Sequence, residues 1–144
     1  MSRFIHRVGG IILMVVTAMA LSAGAEVPNR SPEKLRQWST HIVVGKLRAV
    51  YHAAELDEHS HRNGVAEIVI DSIEKGDGLS EGQVMYARFW RRVTKPGAPP
   101  QTAASGHDVP PQGSVVRGYL KRGDDGGYDV LLPNGLQELD AAEQ

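Results

Sequence analysis

Five runs rich in β-branched and aromatic residues, each closed by a glycine- or proline-bearing turn, constrain this chain to a small all-β body. The first, residues 40–51, holds Ile42, Val43 and Val44. One of its faces (Val43, Gly45, Leu47, Ala49, Tyr51) is uniformly apolar or small, and Gly45 in mid-run predicts the tight bend of a barrel corner. Residues 65–74 set Ile68 and Ile70 against Glu67, Val69 and Asp71. Residues 83–92 set Val84, Tyr86 and Trp90 against Met85, Ala87 and Phe89. Residues 114–122 and 128–132 complete the set, joined by a hairpin turn at residues 123–127. The histidine-rich stretch 52–63 reads as a loop closed by Asn63-Gly64. Residues 95–113, with Pro96, Pro99, Pro100, Pro110 and Pro111, read as a long irregular loop.

One helix is expected. Ser31 is a hydroxyl cap, Pro32 suits the first helical position, and Glu33 faces the positive end of the helix dipole. The pattern lasts to about Trp38, and so short a helix needs a sheet to cap. The fold class is therefore mainly β: a small five-stranded OB-like antiparallel barrel, with one short N-terminal helix after a signal peptide. An open sandwich is the alternative.

The signal peptide is read from residues 1–25. Arg3 and Arg7 start it, residues 8–21 are apolar, and Ala23-Gly24-Ala25 offers small residues for cleavage. A retained span would need roughly 20 predominantly apolar residues, and this run is shorter and broken by Gly9, Gly10 and Thr17. Cleavage removes Arg3 and Arg7 and none of the acidic residues, leaving a small negative net charge and no membrane span. The expected organisation is a signal peptide (1–25), an N-terminal segment with the helix (26–39), the barrel (40–136) and a disordered acidic tail (137–144). Localisation follows as periplasmic or secreted. The chain has no cysteine, so stability rests on packing, and thiol catalysis, cysteine zinc sites and iron–sulfur clusters are excluded.

The stretch His41-Ile42-Val43-Val44-Gly45-Lys46-Leu47 resembles the opening strand of netrin-like domains, the OB-type barrels that include tissue inhibitors of metalloproteinases. Glu74-Lys75-Gly76 and Pro111-Gln112-Gly113-Ser114-Val115-Val116 are similar in layout to the middle and end of such barrels. With Arg88-Phe89-Trp90-Arg91-Arg92 and residues 128–135, the layout also resembles uncharacterised secreted bacterial proteins. The resemblance covers residues 41–136 and implies the barrel. It does not imply protease inhibition, which in that family uses an N-terminal cysteine on the protease metal.

Two constellations carry candidate chemistry. Arg88, Trp90 and Arg92 on the third run, with Tyr119 on the fourth, are the candidate ligand-binding residues. Arginines interleaved with aromatics on a barrel face bind by stacking and charge, and Trp, Tyr and Arg are favoured anchors. Export makes nucleic acid a poor partner, so an extracytoplasmic glycan or protein is expected. The competing reading puts Phe89 in the core and the arginines in ion pairs with carboxylates. His59 and His61 form the second constellation. In an extended loop, residues i and i+2 project the same way and could share Zn²⁺ or Cu²⁺, with a third ligand from His52, Asp57 or His107; otherwise they face water. No other cofactor is implied.

Catalysis has little support. Ser105-Gly106-His107-Asp108 has triad residue types as chain neighbours, whereas triad partners meet from different elements, and Gly76-Asp77-Gly78 does not precede a helix. The function expected is an exported non-catalytic binding module, with an exported metal-binding protein as the alternative.

Overall fold

The computed structural model describes residues 28–93, 97, 106–140 and 143. The signal peptide expected over residues 1–25, most of the proline-rich loop and the end of the acidic tail lie outside the described residues. In chain order the elements are α1 (Pro32–Trp38), β1 (His41–His52), β2 (His61–Lys75), β3 (Val84–Arg92), β4 (Val115–Arg122), β5 (Tyr128–Val130) and β6 (Leu136–Glu138).

The strands close into a barrel in the order β1-β2-β3-β5-β4, with β4 returning to β1 and β6 added along β4. The expected five-stranded OB-like barrel is therefore the fold, with one departure. It is not wholly antiparallel, because β5 runs parallel to β3, pairing Ala87 with Tyr128 and Arg88 with Asp129. Closure leaves β1–β5 no open edge among themselves, and the inward residues Val43, Leu47, Ile68, Ile70, Met85, Phe89, Val116 and Leu120 form one core.

Gly45 lies beside a register shift, where any Cβ would strike the Val69 carbonyl. The last of three shifts along β1, between Leu47 and Ala49, is a β-bulge that reverses the alternation. Leu47 and Val50 both pack on the core, and Tyr51 turns outward instead of continuing the apolar face expected of it. There Tyr51 Oη donates to Glu67 at 3.0 Å, beside the Arg48–Glu67 ion pair. Glu67 is only 4% exposed. The Arg48 hydrogen bond, opposed by burial and aided by Tyr51, holds its carboxyl below the usual range.

β2 begins at His61, four residues earlier than expected. Asn63 and Gly64 do not close a loop; they pair with Trp90 and Phe89 of β3, and the Phe89 ring lies against Gly64 where a Cβ would be. The barrel also extends past residue 136. β6 occupies part of the expected tail, and Leu139 is buried and donates its N–H to the Val115 carbonyl at 2.9 Å.

Ser31 caps α1 and Pro32 opens it as expected. Leu35, the buried residue of the helix, packs with Ile42, Tyr119 and Leu131 in a second small cluster on the outer side of β1 and β4. This corrects the expectation for Tyr119. Its position on β4 does point away from the barrel core, but Leu35 covers it to 1% exposure, so its ring is core.

Candidate functional site

A cleft of about 900 Å³ crosses the ends of β1 and β2, the second half of β3, Lys121 of β4 and the chain from Asp129 to Leu132. Its apolar lining comes from Val65, Phe89, Trp90, Val130, Leu131 and Leu132; its polar lining includes Arg30, Asn63, Arg88, Lys121 and Asp129. Volume and mixed lining both fall in the range of small-molecule sites.

Trp90 sits at the junction of three strands' worth of structure. The His61 ring stacks on it at 4.3 Å between centroids, and His107 meets it edge-on at 5.8 Å. His107 belongs to the proline-rich stretch, yet it is buried at 4% exposure as a peg between β3 and β5. Its Nε2 lies 2.7 Å from the Val130 carbonyl, and Nδ1 lies 3.1 Å from the Trp90 N–H and 3.0 Å from the Trp90 carbonyl. Its own N–H donates to the Trp90 carbonyl at 2.9 Å, and Gly106 bridges to Arg91. His107 therefore supports the cleft wall and does not join His59 and His61. No buried side-chain nitrogen or oxygen among the described residues lacks a partner.

Arg88 also lines the cleft, but its guanidinium is engaged. Nε and Nη2 donate to both Asp129 oxygens at 2.7 and 2.9 Å, and Nη1 and Nη2 reach Asp125. The bidentate geometry raises the Arg88 pKa, through Asp125 first and Asp129 second, and the same contact lowers that of Asp125. Arg88 thus clamps the 123–127 turn to β3, with its guanidinium lying close against Gly123 and Gly127. Arg92 is exposed at the end of β3, opposite His61 in the ladder. Of the four expected ligand residues, Arg88 and Trp90 lie in the cleft, Arg92 lies beyond its rim, and Tyr119 lies on the far side of β4 under α1.

Sequence reasoning missed Arg30, Asp129, Leu131 and Leu132. Arg30 arrives because Asn134 holds its backbone on both sides, the N–H and C=O each at 3.0 Å, and its guanidinium stacks 4.4 Å over Trp38. No local pattern signals a partnership between positions so far apart.

The histidine loop is a turn, not an extended segment. Ser60 N–H donates to the Asp57 carbonyl at 3.0 Å, and Ser60 adopts a φ of 63°. That left-handed residue brings the His59 and His61 rings into a stack 5.7 Å apart. Asp57 Oδ1 accepts the N–H groups of both His59 and His61 at 2.9 and 2.8 Å. The His61 N–H is the main cause that keeps the Asp57 carboxyl below its usual range, against a smaller desolvation effect. Among the third ligands considered from sequence, Asp57 is the one brought to the histidines.

Compared with protein families, with curated proteins and with solved structures, the chain matches none. Among the described residues no helix is long and apolar enough to cross a membrane.

Proposed function

We propose that this chain is an exported, non-catalytic binding module whose cleft takes a glycan segment carrying an acidic group. The observation that carries the reading is the cleft itself: an apolar floor with the Trp90 indole, flanked by Arg30 and Lys121. A sugar ring presents an apolar face for stacking and polar edges for hydrogen bonds, and Trp, Arg and Lys at the rim suit both. The cleft involves β2, β3 and Ala53 of the loop between β1 and β2, part of the region through which OB-type barrels bind oligosaccharides, which supports the reading by analogy of fold. The netrin-like kinship and export belong to the same proposal, resting on residues 41–136 and 1–25 respectively. The absence of catalysis is part of it too: both ring nitrogens of His107, the buried histidine of the cleft wall, are held by backbone groups of Trp90 and Val130.

Calorimetric titration with uronic-acid oligosaccharides, and with neutral oligosaccharides of equal length, tests this. Binding of the acidic series should weaken on Lys121→Glu and be lost on Trp90→Ala. Saccharide affinity unchanged in both variants would place the ligand elsewhere, and no affinity for either series would refute the glycan assignment.

A further inference from the structure

We propose that Asp57, His59 and His61 bind a single divalent transition-metal ion of the zinc and copper class, against Trp90 at the rim of the cleft. One carboxylate oxygen and one nitrogen from each ring already lie within 4.8 Å of one another. A tetrahedral ion with arms of about 2.0–2.1 Å holds its ligands about 3.3 Å apart. The distance from Asp57 Oδ2 to His61 Nδ1 is 3.3 Å, so one edge of such a tetrahedron stands in place. The remaining ligand, His59, has a side chain 67% exposed and reaches the site by rotation about its own bonds.

The usual objection to a metal in a surface loop is the entropy of ordering it. Here the loop is ordered by its own backbone. Asp57 N–H donates to the His61 carbonyl at 2.9 Å, Ser60 N–H to the Asp57 carbonyl at 3.0 Å, and Val93 N–H to the Ser60 carbonyl at 3.0 Å. The carboxylate is aimed as well: Oδ1 is fixed by two N–H groups, and Oδ2 is the oxygen nearest the His61 ring. His61 is held by its stack on Trp90. Two imidazoles and one carboxylate suit Zn²⁺ or Cu²⁺ better than the hard, oxygen-seeking cations. Glu58, 3.8 Å from the His59 ring, adds negative charge nearby. Three protein ligands leave a fourth position open to water or to an oxygen of a molecule in the cleft.

Trp90 supplies the readout, because a copper ion bound beside His61 quenches its fluorescence. The chain has two tryptophans, and Trp38→Phe in the untagged protein leaves Trp90 as the sole indole. Titration with Cu²⁺, without any saccharide, should quench that emission and saturate at one equivalent, and Zn²⁺ should compete. His59→Ala should weaken binding roughly tenfold or more while leaving the melting temperature unchanged. Asp57→Asn should weaken binding too, since the amide oxygen can still accept both N–H groups and preserve the turn. Quenching that rises linearly without saturating, or that saturates equally in both variants, would overturn the site. Because no saccharide is present, failure here leaves the glycan reading standing, and failure of that reading leaves this one.

Discussion

Replacing Tyr119 by alanine distinguishes a buried ring from a ligand contact, and the structure sets the size of the effect. The ring is 1% exposed and packs with Leu35 and Ile42, both fully buried. Truncating a buried aromatic to alanine costs about 3–5 kcal/mol, from lost transfer free energy and the cavity left behind. In a domain of this size each kcal/mol lowers the melting temperature by about 3–6 °C, so the midpoint should fall by about 9 °C or more. Leu35→Ala removes the other half of the same contact and should cost about 2–5 kcal/mol. The two changes share one cluster, so together they should cost less than their sum, with a coupling of about 0.5–3 kcal/mol. Urea unfolding of the two single variants and the double variant measures all three quantities. Tyr119→Phe, which keeps the ring, should retain most of the stability. A Tyr119→Ala variant destabilised by less than about 1 kcal/mol, or strict additivity with Leu35→Ala, would refute the packing of α1 over β4 and return Tyr119 to the candidate binding face.

Three further outcomes are expected. Glu67 has a folded pKa below its unfolded one, so its contribution is present above the ordinary carboxylate range and lost as pH falls through the lowered value; Glu67→Gln should flatten the acid limb of a stability–pH profile, and an unchanged limb would contradict the Arg48–Glu67 pairing. Arg88→Ala should raise amide hydrogen exchange in residues 123–129 well above that of β1 and β2, as Asp125 and Asp129 lose their shared partner; unchanged exchange there would mean the clamp is idle. Gly64→Val should displace the Phe89 ring and destabilise the barrel by about 1–3 kcal/mol by thermal melt, and a neutral result would contradict the close approach of ring and backbone.

Much of the barrel was legible because alternation is a local signal. In β3 it separates buried Met85, Ala87 and Phe89 from outward Tyr86 and Trp90 without reference to any other element. The misreadings share one cause, pairing over long distances. The start of β2, His61-Arg62-Asn63-Gly64, has no β-branched residue and is a strand because β3 supplies its hydrogen-bond partners. The three-residue β6 is held by β4. Tyr51 changes face at a bulge that only the register with β2 reveals. Alternation could place Tyr119 away from the core of the barrel, but not foresee that a helix some eighty positions earlier would cover it. At the candidate sites, residue types marked Trp90, His59 and His61, while choosing Asp57 among several third ligands took the turn at Ser60. Arg88 stood out as a cation, and its neutralisation by Asp125 and Asp129 lies 37 and 41 residues along the chain.

The parallel seam between β3 and β5 gives the barrel a mechanical asymmetry. β1 and β2 are joined along almost their whole length, whereas β3 and β5 are stitched at two register pairs, Ala87 with Tyr128 and Arg88 with Asp129. The shortest ladder of the cylinder therefore runs beneath the cleft, where the His107 peg and the Arg88 guanidinium lie across it like latches. Breathing of the barrel should begin along that line, so that anything bound in the cleft spans both lips of the seam and acts as a splint, slowing the opening of the whole cylinder from that side.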